Sequence, residues 1–189
     1  MRKILVTEFM SMDGVIEDPG GAEKFKHGGW SIPYWTEEIA KFKFDELMAT
    51  GAHLLGRVTY QGFAAAWPTR KDEGGFADRM NALPKYVVST TLKNAGWNNS
   101  TIIKEDIVEA IARLKQQSGQ DLLVAGSATL IQTLMQNDLI DEYRLLVYPV
   151  LLGSGKRLFR DGGKLPLKLI ETKPFSSGVV LLRYQPDHK

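Results

Sequence analysis

A short apolar segment that ends in glycine and leads into a helical pattern constrains this chain more than any other stretch. Residues 122–125 are Leu-Leu-Val-Ala, Gly126 and Ser127 follow, and apolar residues then recur at helical spacing from 130 to 135. This order predicts a buried strand, a tight turn and the start of a helix. The first backbone N–H groups of such a helix lack partners within it and favour a phosphate group. The alternative is a plain strand–helix corner with Ser127 as its N-cap.

Two more strand ends carry glycine or hydroxyl residues. Gly56-Arg57-Val58-Thr59 follows a short apolar strand at 53–55, and Ser89-Thr90-Thr91 follows another at 86–88. In an open α/β sheet, ligands bind beyond the carboxyl ends of the parallel strands, so we expect these segments to meet there. The Arg57 guanidinium suits a bidentate contact to a phosphate monoester, which favours NADP over NAD. A surface salt bridge is the alternative for Arg57.

Predicted strands and helices alternate up to residue 140, and strands with little helix between them follow. The remaining strands are predicted at 3–10, 101–103 and 141–148, and a closing hairpin at 165–175 and 179–184. Helices are predicted at 36–50, 76–83 and 107–114, and another starts at the glycine turn of residues 56–60 and continues over 61–67. Alternation of this kind favours an α/β fold with a mainly parallel sheet and an antiparallel C-terminal edge. Without an internal repeat or linker, we expect a single domain over residues 1–189.

Composition argues against several classes of protein. The 189 residues carry a formal net charge of +2 without a basic stripe, so nucleic acid is not an expected partner. The absence of cysteine excludes disulfides and thiolate zinc sites, and the three histidines show no ligand spacing, so we expect no metal. No apolar run approaches the ~18 residues of a membrane span. The expectation is a soluble, cytoplasmic protein with no membrane partner.

Several motifs resemble those of known reductases. Residues 54–60 resemble the Gly-Arg-x-Thr corner of the dihydrofolate reductases, residues 87–90 resemble their next strand with its ribose-phosphate hydroxyls, and Gly126-Ser127 stands where they carry a Gly-Gly pair. Ser11-Met12-Asp13-Gly14, together with residues 138–142 and 148–153, is more similar to the reductase domain of the riboflavin-pathway bifunctional deaminase–reductase. The resemblance covers about residues 3 to 184.

This resemblance implies an NADPH-dependent reductase with a dihydrofolate reductase-like three-layer α/β/α fold. The cofactor residues that it implies are Ile16, Gly56, Arg57, Thr59, Ser89, Thr90, Gly126, Ser127, Ala128, Thr129 and Leu130. Two features depart from the pattern. Ser127 replaces the second glycine of a pair whose bond is cis in dihydrofolate reductases, which leaves a cis bond open here. The zinc signature of a deaminase half is absent because the chain has no cysteine.

A reductase of this kind needs an acid near the substrate. Glu38 falls on the position of the catalytic carboxylate of dihydrofolate reductases, and an ordinary first-turn acid is the alternative. Asp13 is the second candidate, because it ends the first strand near the expected nicotinamide, with a turn role as its alternative. Trp35 and Phe42 are expected to wall an aromatic substrate, although core packing would also explain them.

The expected substrate is a small pyrimidine or pteridine heterocycle. The parent activity that the resemblance implies is 5-amino-6-(5-phosphoribosylamino)uracil reduction. Dihydrofolate reduction and a non-catalytic nucleotide- or pterin-binding role remain alternatives. The resemblance also implies a homodimer, for which residues 141–148 and 150–152 offer a surface.

Overall fold

A mixed sheet forms the centre of the protein, for which the computed structural model describes residues 1–72, 74–160 and 164–187. Within them, eight strands form one sheet in the order β4-β3-β2-β5-β1-β6-β8-β7. The strands are β1 (Ile4–Ser11), β2 (Ala52–Gly56), β3 (Lys85–Val88), β4 (Ser100–Ile103), β5 (Leu122–Ala125), β6 (Glu142–Tyr148), β7 (Leu167–Pro174) and β8 (Val180–Pro186). The helices are α1 (Glu37–Met48), α2 (Arg57–Ala66), α3 (Phe76–Ala82), α4 (Ile107–Gln116) and α5 (Ala128–Gln136), with a 3-10 helix at Ile32–Tyr34.

Helices cover both faces of the sheet. One core cluster joins Ile111 of α4 and Ile131 of α5 to alternate strand residues such as Val6 and Val124. The opposite face packs against α1, α2 and α3 in two further clusters. The strands from β4 to β6 are parallel, β8 runs antiparallel to β6, and β7 runs antiparallel to β8. The predicted three-layer α/β/α fold with an antiparallel C-terminal hairpin is therefore confirmed.

The predicted elements are confirmed, with shifts at some ends. Helix α2 begins at Arg57 directly after β2, within the glycine turn at which the sequence pattern predicts a helix start. Strand β7 begins at Leu167 and β8 continues to Pro186. Thr36 caps α1 as expected, since its hydroxyl accepts a hydrogen bond from the Ile39 N–H at 3.3 Å.

The strand predicted as part of a dimer surface is not an edge strand. Strand β6 pairs with β1 on one side and with β8 on the other, and Tyr143 and Tyr148 are fully buried. An interior strand has no free backbone groups to offer to a second copy. Of the apolar residues that follow it, Leu151 is exposed.

The strand register opens a gap beside the upper half of β1. Strand β5 pairs with β1 only up to Thr7, opposite Ala125, and with β2 only at Ala52 and His53. Beyond those pairs, β1 continues beside β6 and β2 continues beside β3. The end of β5 therefore leaves both neighbours unpaired on one side, and a cleft begins at Gly126.

Candidate functional site

The cleft at the carboxyl ends of the parallel strands has a volume of about 1880 Å³. Pockets for one small ligand usually measure roughly 300–1,000 Å³, so this cleft has room for two. The first turn of α2, residues of α5 and the loop after β3 line one part, which we call the cofactor half. Residues of β1, β2, α1 and α3, together with the carboxyl-terminal part of α2, line the other part, which we call the substrate half.

The amino termini of α2 and α5 both open on the cofactor half. Gly56 and Ser127 occupy their N-cap positions, and neither makes a side-chain capping hydrogen bond. The N–H groups of the first turn of each helix therefore have no partner within the helix. Both helix dipoles also place partial positive charge at these ends, so the two termini together favour an anion with more than one phosphate.

The Ser127 side chain ties these two termini together. Its Oγ accepts a hydrogen bond from the Gly56 N–H at 2.8 Å and donates one to the Thr59 hydroxyl at 2.9 Å. Ser127 thus occupies the N-cap position that the alternative interpretation gave it, but it makes no capping bond to its own helix, because its backbone is left-handed, at φ +67°, and its hydroxyl bonds to α2.

The turn itself requires glycine at position 126. Gly126 has φ +60°, and a Cβ there would lie 2.9 Å from the Thr59 Oγ1. No cis peptide bond occurs in the described residues, so the Gly126–Ser127 bond is trans. Two consecutive left-handed residues instead make the bend at this position.

The remaining predicted cofactor residues lie around the same space. Arg57, Ser89, Thr90 and Ile16 all line the cleft. The Arg57 guanidinium is exposed and donates to Gln61 at 2.9 Å on its own helix, and no ion pair of Arg57 occurs in the described residues. The Ser89 hydroxyl accepts from the backbone N–H groups of Thr91 and Leu92, so it shapes the loop, while Thr90 is exposed.

Aromatic side chains wall the substrate half. Trp35 lines it as predicted, together with residues that the sequence patterns did not single out for this purpose: Phe44, Phe63, Trp67, Phe76 and Met80. The structure places Phe42 elsewhere, because its ring packs against Phe175 with the centroids 6.2 Å apart. Phe42 therefore belongs to the core beneath the hairpin turn, and it is not among the residues that line the cleft.

Glu38 lies outside the cleft. Its carboxylate accepts hydrogen bonds from the Ser176 hydroxyl at 2.6 Å and from the Ser176 N–H at 2.9 Å, in the turn between β7 and β8. These bonds hold the pKa of the exposed Glu38 below its ordinary value. Its position gives no support to a catalytic role.

Asp13 holds a loop beside the cleft and is not among the residues that line it. Its carboxylate accepts from the Ser11 hydroxyl at 2.7 Å and from the N–H groups of Leu152 at 3.1 Å and Gly153 at 2.8 Å. The bond from Ser11 is the largest cause that lowers the pKa of Asp13 to about 2. Asp13 is therefore ionised at neutral pH and has no proton to give.

A polar cluster that the sequence patterns did not predict lies at the floor of the substrate half. Lys43 of α1 donates to the Thr7 hydroxyl at 2.8 Å and forms an ion pair with Glu46, which Arg144 also contacts at 3.3 Å. His53 of β2 is buried there, and neither ring nitrogen has a hydrogen-bond partner among the described residues. Burial, followed by the charges of Lys85 and Lys43, lowers the pKa of His53 to about 3, so the ring is neutral.

Glu8 is the buried acid of this cleft. It is the first residue of β1 beyond the last pair with β5, it lines the cleft, and no described residue makes a hydrogen bond to its Oε1. Burial raises the pKa of Glu8 to about 8, although Lys43 and the Gly126 N–H act in the opposite direction. The sequence signal was present, because Glu8 is the one acid within the apolar strand Ile-Leu-Val-Thr-Glu-Phe-Met.

The family follows from a match over nearly the whole chain. Residues 2–181 match the RibD C-terminal domain. The chain belongs to this family. The uncharacterized protein YwjB of Bacillus subtilis (strain 168) is 42% identical over 188 residues, which cover 95% of this chain and 96% of YwjB. The uncharacterized protein YyaP of the same strain is 32% identical over 187 residues, covering 97% and 94% of the two chains.

Solved structures share the fold of this RibD C-terminal domain protein at low identity. A proposed riboflavin biosynthesis protein of Shewanella sp. PV-4 superposes with a TM-score of 0.76 at 23% identity, over 98% of this chain and 99% of that one. Dihydrofolate reductase of Enterococcus faecalis, in complex with NADP(H) and RAB-propyl, gives 0.64 at 14% identity, over 98% and 96%. The deaminase/reductase of Thermotoga maritima gives 0.67 at 18% identity, over 98% of this chain and 57% of that one.

Two further kinds of feature are missing from the described ranges. Among residues 1–72, 74–160 and 164–187, no helix is both long and apolar enough to cross a membrane. The same ranges hold no group of three or more His, Asp or Glu side chains placed to bind a metal ion.

Proposed function

We propose that this member of a reductase family uses NADPH to reduce a pyrimidine- or pteridine-type heterocycle. The observation that carries the proposal is the pair of uncapped helix termini, α2 and α5, which Ser127 joins at one cleft. Anionic groups are favoured at both ends for the same physical reason, and a dinucleotide supplies several phosphate oxygens.

The chain's own groups fit a nicotinamide dinucleotide phosphate. The first-turn N–H groups of α5 and α2 are available to the linked phosphates, and Arg57 at the mouth is available to a phosphate monoester. The exposed Thr90 hydroxyl adds a further donor beside them. When bound, the reduced nicotinamide supplies a hydride to a polarised C=N or C=O bond.

The walls of the substrate half support the proposed substrate class. Aromatic rings such as Trp35, Phe44 and Phe76 offer flat apolar surfaces, and the floor offers the Lys43 ammonium and the Thr7 hydroxyl. A planar ring with polar edges satisfies both kinds of surface. The first candidate reaction is the one that the family resemblance implies, the reduction of 5-amino-6-(5-phosphoribosylamino)uracil. Dihydrofolate reduction, with a similar ring as substrate, is the alternative.

The phosphate assignment is tested by Arg57→Ala. We expect the dissociation constant for NADPH to rise about tenfold or more, because a charge-assisted bidentate contact contributes roughly 1.5–3 kcal/mol. The constant for NADH should change little. Titrations of both cofactors, followed by quenching of the chain's four tryptophans, measure the difference.

Arg113→Ala is the matched control, because Arg113 is also exposed and bonded to a neighbour one turn away, Glu109, on a different helix. It should leave both constants unchanged. An Arg57 variant that keeps the full preference for NADPH would refute the phosphate assignment.

Turnover is tested with two probe substrates. Purified protein is mixed with NADPH and either 5-amino-6-(5-phosphoribosylamino)uracil or dihydrofolate, and NADPH consumption is followed by absorbance. Reduction of one probe supports the proposal and selects between its two forms. Tight binding of NADPH without consumption in either mixture would favour a non-catalytic binding protein.

A further inference from the structure

Glu8 lies where the two halves of the cleft meet. Strand β1 leaves β5 after Thr7, so Glu8 is the first β1 residue that faces the gap above the end of β5. The Gly126 N–H, in the turn between β5 and α5, is close enough to lower the pKa of the Glu8 carboxyl group. A group at this junction lies between the space for the cofactor and the space for the substrate.

The carboxyl group of Glu8 forms no ion pair among the described residues. The residue is 5% exposed, and no hydrogen bond reaches its Oε1 within that part of the chain. Lys43 on α1 is the cation that acts on it, but the Lys43 ammonium is bonded to Thr7 and paired with Glu46. Among the other elements at this point, β2 contributes the neutral His53, β6 contributes Arg144, which pairs with Glu46 and Glu142, and α5 has no ionisable residue.

An acid in such a place keeps its proton. Transfer of a carboxylate out of water without a cation in contact is unfavourable, so burial favours the protonated form. With a pKa of about 8, Glu8 is mostly protonated at pH 7. Asp13 and Glu38 differ in this respect, because hydrogen bonds to their carboxylates favour the charged form.

We propose that Glu8 is the proton donor of the reduction. This inference rests on the proposed function and adds the residue that completes its chemistry. The hydride arrives from a reduced nicotinamide at the electrophilic carbon of a C=N or C=O bond. The electron pair of that bond passes to the nitrogen or oxygen, which takes the proton from the Glu8 carboxyl group and leaves it as a carboxylate. Water that enters the open cleft returns a proton to Glu8 before the next cycle.

The substitution Glu8→Gln tests this role. Glutamine has nearly the same shape and can donate a hydrogen bond, but it cannot release a proton. We expect kcat for the probe that the wild type reduces to fall by about a hundredfold or more, which is the usual contribution of a general acid. The dissociation constant for NADPH should stay within about twofold, since the substitution adds no charge to the cofactor half.

The pH dependence separates a proton donor from a structural residue. In the wild type, kcat should fall as the pH rises through the pKa of Glu8, because the proton is lost, and in Glu8→Gln this decline should disappear. Glu109→Gln, the same change at an exposed site on α4, should keep the wild-type rate and profile.

Infrared spectroscopy supplies a readout that needs no substrate. A protonated carboxyl group absorbs apart from carboxylates, so the wild type at pH 7 should show a band that Glu8→Gln lacks and Glu109→Gln retains. A wild type without that band, or a Glu8 variant with the wild-type rate and pH profile, would overturn the donor role and leave the reductase function intact. Failure of the wild type to bind NADPH or to reduce either probe would instead overturn the proposed function, and the donor role with it.

Discussion

The two halves of the cleft solve opposite electrostatic problems. The cofactor half presents unpartnered N–H groups at the ends of α2 and α5, with the exposed Arg57 at its mouth. The substrate half places Glu8, whose Oε1 has no hydrogen-bond partner in the described part of the chain, beside a lysine that is already paired with Glu46. The cofactor half therefore favours the binding of an anionic ligand, whereas the substrate half disfavours the ionised form of its own Glu8.

This difference suits the two halves to different roles, anion binding in one and acid–base chemistry in the other. Free N–H groups at a helix terminus remain hydrated in the absence of a ligand and cost little, whereas a buried carboxyl group without a partner lowers stability unless it is protonated. Groups of the second kind are concentrated at functional sites, where a perturbed pKa serves the chemistry. Three single-residue substitutions test this difference between the two halves of the cleft.

The largest effect is expected from Glu8→Gln on the pH dependence of stability. The folded-state pKa of Glu8 is about 8, above the ordinary 4.5, so the folded protein binds the proton more tightly than the unfolded chain. The free energy of unfolding should therefore fall as the pH rises from 4.5 towards about 8, by as much as about 1.4 kcal/mol per pH unit. Denaturant titrations at several pH values should show this decline in the wild type and not in Glu8→Gln. Parallel curves for the two proteins would mean that Glu8 titrates normally.

A smaller loss is expected from Gly126→Ala in the cofactor half. The added Cβ would meet the Thr59 Oγ1 at 2.9 Å, and the backbone is left-handed at φ +60°. Strain and overpacking together should lower the free energy of unfolding by about 2–4 kcal/mol and weaken NADPH binding, because the α5 terminus would shift.

Gly62→Ala is the control for that substitution. Gly62 lies within α2, and a Cβ there would meet nothing within 4 Å. This variant should gain about 0.5–1 kcal/mol, since alanine favours the helix. Equal losses for the two variants would contradict the role of the turn at Gly126.

The smallest change is expected from Asp13→Asn. Asparagine loses one acceptor for the N–H groups of the loop after β6, which should lower the free energy of unfolding by about 1 kcal/mol at pH 7. The pKa of Asp13 is lowered from 3.8 to about 2, so its contribution is complete above pH 4 and is lost as the pH falls towards 2. Thermal unfolding at pH 2, 4 and 7 checks this. If the stability difference between the wild type and Asp13→Asn were instead lost at alkaline pH, the direction assigned to the pKa shift of Asp13 would be contradicted.

The sequence predicts the fold, and it predicts that the glycine and hydroxyl segments meet at one edge of the sheet, because both follow from local patterns. Apolar runs set the strands, and glycine and hydroxyl residues at their ends indicate where backbone N–H groups open on the cleft. The role of the Ser127 hydroxyl could not be predicted in the same way. Its partners, Gly56 and Thr59, lie about seventy residues away, and only the packed sheet brings them within reach.

The acid of the substrate half shows the limit of local patterns. Helix α1 lies where the sequence predicts it, yet the Glu38 carboxylate lies outside the cleft, where it accepts a hydrogen bond from Ser176 in the hairpin turn. The partners of Asp13 are likewise remote, at Leu152 and Gly153. Glu8 is visible in the sequence as an acid inside an apolar strand, but its significance depends on where β5 ends beside β1.

The most direct test of the account is a titration of the wild-type protein with NADPH and with NADH. Energy transfer to the reduced nicotinamide from Trp35 and Trp67, which line the cleft, reports binding in both experiments. The account predicts saturable transfer with a clear preference for NADPH. Binding of neither cofactor would contradict it, because the two helix termini and Arg57 would then have no role in holding a dinucleotide.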